Sequence, residues 1–289
     1  WRETAVKDHV ALWALSGLAG LLTAAMFNPV SIPIWSLLGI TLAIMTSYTT
    51  IIRPIGARIR VVGYVLGIAL MVVAVGFISS EVFTKYGYSA YLLKDNTKAQ
   101  GLLKKSVFLN PLNTTARTFL IGSEINLRTD LGKSAEDIES ILRQHPYASQ
   151  NFKKAADLYH RIYMASKEDR YKQRSLELYD RALVLEPDSA PMYASAGYAA
   201  YKMGESQKSL EFLDKQIEIS GGKDYPYSLI LKSKIHMDLN QKEEAVKALK
   251  TAQGFITDQP LLKNYITEVE KSTDLKSLAF PFYLSDIDI

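Results

Sequence analysis

The stretch Ser175-Leu-Glu-Leu-Tyr179-Asp-Arg-Ala182-Leu-Val-Leu-Glu-Pro187 decides the fold once it is set beside Ser209-Leu-Glu-Phe-Leu213-Asp-Lys-Gln216-Ile-Glu-Ile-Ser-Gly221, which begins 34 residues later. In the first, a small residue is followed by a large one a turn on, a second small residue, and then a proline. Small residues let paired helices touch, the large one fills the groove between them, and proline ends the helix because it lacks an N–H and restricts the residue before it. The second segment keeps Ser209 and Leu213 and departs at Gln216 and Gly221.

The pattern spreads in both directions. Between the two segments stand Tyr193, Gly197 and Gly204, an aromatic, a small contact residue and an inter-helix glycine. Together they resemble the tetratricopeptide repeat, whose helix pairs recur at a period near 34 residues. Ala99, Leu103, Ser106 and Pro111 fit an earlier second helix, and Ser134, Ile138, Ile141 and Pro146 another. Ala245, Leu249 and Ala252 fit a late one, with Asn240 in the place of the inter-helix glycine. Ser134 and Ser175 lie 41 residues apart, which predicts an insertion around 166–173. The resulting expectation is a solenoid of four to five repeats over residues 84–260. Leu261–Ser277 reads as an amphipathic helix sealing the stack, within a final 261–289 segment whose tail Phe280–Ile289 packs back on the repeats or docks on a partner.

The N-terminal part differs in kind. From Val10 to Ile52 no Asp, Glu, Lys, Arg or His occurs, and a second uncharged run goes from Val61 to Ser80. A membrane-spanning helix needs about 20 apolar residues. The prolines of Asn28–Pro33 divide the first run, so the reading is a membrane domain over 1–83 with helices near 10–27, 34–52 and 61–83. The expected fold class is therefore all-α, three transmembrane helices followed by a TPR-like α-solenoid. Arg53, Arg58 and Arg60 crowd the link before the third helix, which by the positive-inside rule faces the cytoplasm. That predicts a multi-pass protein of the cytoplasmic (inner) membrane with its repeats extracytoplasmic.

Chemistry is scarce. With no cysteine there are neither disulfides nor thiolate metal sites, and His9, His145, His160 and His236 share no helix face. Neither a phosphate-binding glycine loop nor a nucleophile elbow is present, so no catalytic residue, cofactor or metal is assigned. The net charge of +4 is spread without a basic stripe, which leaves out nucleic acid. What remains is tyrosine. Tyr159, Tyr163, Tyr193, Tyr198 and Tyr201 crowd the central repeats, either as groove filling or as a binding groove for a peptide or glycan, since tyrosine supplies apolar area with a hydroxyl at low entropic cost.

The stretch Leu18–Ile40, with Phe27, Ser31, Pro33 and Leu37-Leu38-Gly39, resembles the last core helices of the O-antigen ligase/polymerase family. That resemblance implies a C-terminal part of a membrane glycan transferase, beginning at Trp1 inside a longer reading frame, with extracytoplasmic repeats that hold an acceptor or partner. The family's catalytic residues map onto no position here. The alternative is a non-catalytic, membrane-anchored repeat scaffold that recruits envelope proteins.

Overall fold

The computed structural model describes residues 57–221, 226–256 and 260–282, with side chains described from residue 72. Among these residues the fold is all-α, eleven helices joined by short turns. They are α1 (Ala57–Leu92), α2 (Asn96–Leu109), α3 (Thr114–Asn126), α4 (Leu131–Gln144), α5 (Ser149–Ser166), α6 (Asp169–Leu185), α7 (Ala190–Lys202), α8 (Ser206–Ser220), α9 (Pro226–Asp238), α10 (Lys242–Phe255) and α11 (Pro260–Lys271). The stops follow the sequence. α2, α4 and α6 each end two residues before Pro111, Pro146 and Pro187, because the residue preceding a proline is driven out of helical geometry. Pro226 and Pro260 open α9 and α11, where a missing N–H costs nothing.

The membrane part of the expected fold class is overturned. Among the described residues no helix is long and apolar enough to cross a membrane. The spans expected at 10–27 and 34–52 lie outside the described residues, and the third, 61–83, falls within α1. The physical reason is visible at the end of that segment. Ser80 and Thr84 are buried there in a polar knot rather than presented to lipid. Ser80 and Ser106 hydroxyls meet at 2.9 Å, Thr84 Oγ1 and Ser106 Oγ at 2.7 Å, and Asn113 Nδ2 donates to Thr84 Oγ1 at 3.1 Å. An uncharged run reads as a span when only its charges are counted. Here serine and threonine bring the helix into protein packing.

The chain divides into two compact units, Trp1–Lys85 with Lys105–Asn113, and Tyr86–Lys104 with Thr114–Ile289. The first contains the polar knot just described. The second is a stack of antiparallel hairpins, α3/α4, α5/α6, α7/α8 and α9/α10, preceded by Tyr86–Lys104 and closed by α11. Its core is what the repeat register predicts. Ser134, Ser175, Ser209 and Ala245 are fully buried, as are the large residues Leu213 and Leu249 a turn later; Ile138 and Tyr179 are nearly so. One apolar cluster runs from Ile121 through Phe152, Ile162 and Leu178 to Phe212, and a second joins Leu229, Leu249, Leu262 and Val269. The start of the tail, as far as residue 282, packs back. Phe280 and Phe282 set their rings edge-on to Tyr265 at 5.9 and 5.6 Å. The expected insertion is no loop. It is absorbed by lengthening α5 to 18 residues and α6 to 17, against 13 and 15 in α7 and α8.

Candidate interaction face

Each second helix of the stack packs against its own first helix and the first helix of the next hairpin, whereas the first helices α3, α5, α7 and α9 also touch one another in succession. They form a continuous face, and the side chains of that face bridge neighbouring repeats.

At one end sits an arginine with three partners. Arg161 of α5 donates to Tyr91 Oη at 2.6 Å, to the Gly122 carbonyl at 2.9 Å and to Asn126 Oδ1 at 2.6 Å. Its guanidinium lies 5.7 Å from the Tyr91 ring centroid, and Tyr91 and Tyr88 both pack on Phe119, at 5.5 and 4.6 Å. Gly122 makes room for this: a Cβ there would stand 3.1 Å from both Arg161 Nη1 and Tyr91 Oη. The carbonyl also explains an orphan. In α7/α8, Ser209 Oγ donates to the Gly197 carbonyl at 2.7 Å. The equivalent pair in α3/α4 is Ser134 and Gly122, but that carbonyl accepts from Arg161 and Ser134 Oγ has no partner.

In the middle of the face is His160. Its Nε2 is buried and without a hydrogen-bond partner. Burial, reinforced by Lys202, Arg161 and Lys167 against the opposing pull of Asp157, pushes its pKa down to about 4, so the ring is neutral at physiological pH. Asp157 itself accepts from Lys153 at 3.1 Å and from the Tyr179 hydroxyl. Toward the far end, Tyr201 donates to Asp238 Oδ2 at 3.0 Å, and Asp238 also pairs with Lys234. Burial, with Asp238 beside it, raises the Tyr201 phenol above its usual range.

The five tyrosines read from the sequence do not gather into one groove. Tyr198 and Tyr201 lie between α7 and α9, Tyr198 against the cluster of Leu210, Leu213, Leu231 and Ile235. Tyr193 packs on Phe212 of its own hairpin at 6.3 Å, and Tyr163 packs on the main core. Tyr159 is buried. Its hydroxyl donates to Glu139 Oε1 of α4 at 2.9 Å, and Arg174 of α6 grips both oxygens of that carboxylate, at 2.9 and 3.0 Å. Burial works to raise Glu139, but the bonds from Arg174 and Tyr159 outweigh it and hold the carboxyl below its usual value. These groups serve the stack as a tie between three helices. Arg161, Asn126, Phe119 and Tyr91 are the residues the sequence reading missed. The available signal was the repeat register itself, carried back from each second helix to the last turns of the first.

No protein-family model matches the sequence, and no curated protein matches it. Among solved structures the chain is similar to TTC0263, a thermophilic TPR protein of Thermus thermophilus, at 16% identity and a TM-score of 0.50, over 66% of this chain and 99% of that one. It is also similar to a tetratricopeptide repeat protein from Parabacteroides merdae ATCC 43184, at 14% identity and a TM-score of 0.47, over 89% of this chain and 92% of that one. MamA from Desulfovibrio magneticus RS-1 is similar at 12% identity and a TM-score of 0.47, over 61% of this chain and 94% of that one. The first of these likenesses, together with the hairpin register, shows that the fold is a tetratricopeptide repeat stack. The residues that carry the resemblance to O-antigen ligases and polymerases, Leu18–Ile40, lie outside the described residues.

Proposed function

We propose that the repeat stack is a protein-interaction module that holds an extended segment of a partner along its first-helix face. The observation that carries this is the continuity of the face: α3, α5, α7 and α9 touch in succession, Tyr88 at the end of α1 packs on Phe119 of α3, Arg161 of α5 reaches back to Gly122 of α3, and Tyr201 of α7 reaches Asp238 of α9. Beside them the helix ends expose apolar area, Leu92 at 59%, Leu127 at 37% and Met164 at 38%. Mixed aromatic, apolar and hydrogen-bonding surface on a rigid scaffold suits an extended peptide, which brings backbone polar groups and spaced side chains together. Catalysis has no constellation to support it among the described residues: burial pushes the His160 pKa down to about 4, away from neutral pH, and its Nε2 is buried.

The test is selection of displayed random peptides on the full chain. Enriched peptides should lose binding to Tyr88→Ala and Met164→Ala variants and keep it with Val184→Ala, a side chain 80% exposed on second helix α6. Peptides indifferent to the first-helix substitutions would sink the reading.

A further inference from the structure

Cations that bridge neighbouring hairpins of the stack are matched by carboxylates. Arg174 meets Glu139 at 2.9 Å, Lys172 meets Glu205 at 2.8 Å, Lys208 meets Asp180 at 2.7 Å, and Lys232 pairs with Asp214. Around His160 this matching fails. Arg161, Lys167 and Lys202 all act on that ring, and among the described residues none of the three has a carboxylate within salt-bridge distance. Asp157, the one acidic group that bears on His160, is already engaged by Lys153 and Tyr179. Each of these cations instead rests on an aromatic face: Arg161 at 5.7 Å from Tyr91, Lys167 at 5.4 Å from Tyr163 and Lys202 at 5.5 Å from Tyr198. A ring holds a cation in place without neutralising it, so the charge stays available to an incoming anion. The same three charges bear on the buried Nε2 of His160, which has no hydrogen-bond partner among the described residues, an unsatisfied polar atom of a kind that native interiors rarely keep.

We propose that the partner segment held on the first-helix face is acidic, and that its aspartate or glutamate side chains sit on Lys167 and Lys202, at the C-terminal ends of α5 and α7. This rests on the reading of that face as the docking surface. Charge complementarity selects the occupant: two ring-supported cations at matching positions of neighbouring hairpins, with no carboxylate of their own among the described residues, call for carboxylates from outside. The apolar neighbours Tyr163, Met164 and Tyr198 call for hydrophobic residues interleaved with them.

The peptides enriched on the full chain test both readings at once. The acidic reading expects enrichment in Asp and Glu, and binding that weakens steeply as salt is raised. Affinity should fall on the order of tenfold in a Lys167→Asn, Lys202→Gln double variant whose melting is unchanged. Replacing the peptide's Asp and Glu by Asn and Gln should have the same effect. Neutral or basic peptides that nonetheless require Tyr88 and Met164 would overturn the acidic partner and leave the docking face standing. Acidic peptides indifferent to the double variant would overturn the placement of their carboxylates on these cations. Peptides indifferent to all four positions would overturn the face itself.

Discussion

Gly197 shows how one residue sets the distance between two helices. A Cβ at this position would lie 2.9 Å from both Cγ and Cδ2 of Leu213, a side chain that is itself fully buried. Gly197→Ala should therefore lower stability by about 1–2 kcal/mol, because overpacking outweighs the helix propensity gained, and Gly197→Leu by more. Urea unfolding reads this directly, and an unchanged midpoint would mean that the hairpin opens freely. The same reasoning reaches Gly87, whose Cβ would meet Leu103 Cγ at 2.7 Å. Gly197 is legible in the sequence because the repeat demands a small residue there. Arg161 is not, because nothing in a local pattern says which carbonyl, amide and phenol a long side chain will reach. His160 offers a second residue-scale test. Its folded pKa of about 4 lies below the usual 6.5, so the unfolded chain binds a proton that the folded chain refuses. Its contribution is complete above about pH 6.5 and is lost as pH falls toward 4, a loss of about 2 kcal/mol between pH 7 and pH 5. A His160→Asn variant should show a flatter pH profile by that amount, and parallel profiles would place the ring in solvent.

The hairpins share a turn that their sequences do not. Each turn from a first helix to a second has a left-handed residue: Lys94 at φ 61° between α1 and α2, Arg128 at 53° with Asp130 at 42° between α3 and α4, then Lys167 at 60°, Gly204 at 82° and Asn240 at 58°. Only Gly204 and Asn240 announce such a turn, since glycine adopts it freely and asparagine more readily than most. At Lys94, Arg128 and Lys167 the packing of the two helices imposes it, at a cost of about 1 kcal/mol each that the buried interface offsets. Arg128→Gly should accordingly stabilise by up to about 1 kcal/mol, whereas Gly204→Ala should destabilise by a similar amount. Opposite shifts in denaturation midpoint are the expected reading, and equal shifts would mean that the turns relax. The same imposed geometry explains why the extra residues between Ser134 and Ser175 became helix instead of loop. α5 and α6 are the longer pair, and stacking of Tyr159 on Tyr171 at 6.0 Å fills part of the added length. Breaking the tie across α4, α5 and α6 with Arg174→Gln, which leaves the half-buried Glu139 carboxylate with Tyr159 but without its two-pronged cation, should cost about 1–3 kcal/mol.

At the scale of the whole repeat unit, stability is a sum of neighbouring contacts, and the described core divides accordingly. One cluster occupies α3 to α8, the cluster of Leu229, Ala245, Leu249, Leu262 and Val269 depends on α9, α10, α11 and the phenylalanine tail, and a small third one, Leu210, Leu213, Leu231 and Ile235, joins α8 to α9. A terminal repeat must show water a polar outer face while covering its neighbour, and in α11 Leu262, Ile266 and Val269 fall at helical spacing on the buried side. The span read at 61–83 was misjudged for the complementary reason. Hydropathy counts charges and apolar residues but not the partners that a buried serine or threonine will find, and Ser80, Thr84, Ser106 and Asn113 find one another. Nearest-neighbour stability also predicts how the stack fails. Truncation before Pro260 removes Leu262, Ile266 and Val269 from the outer side of α10 and Tyr265 from Met237, its partner at 3.3 Å. Amide hydrogen exchange in α9 and α10 should then accelerate by orders of magnitude, as local opening approaches zero cost, while α5 and α6 keep their protection. Loss spread evenly from α3 to α10 would instead show that the hairpins fold as one cooperative body, joined through the cluster between α8 and α9, and that the division of the core has no energetic meaning.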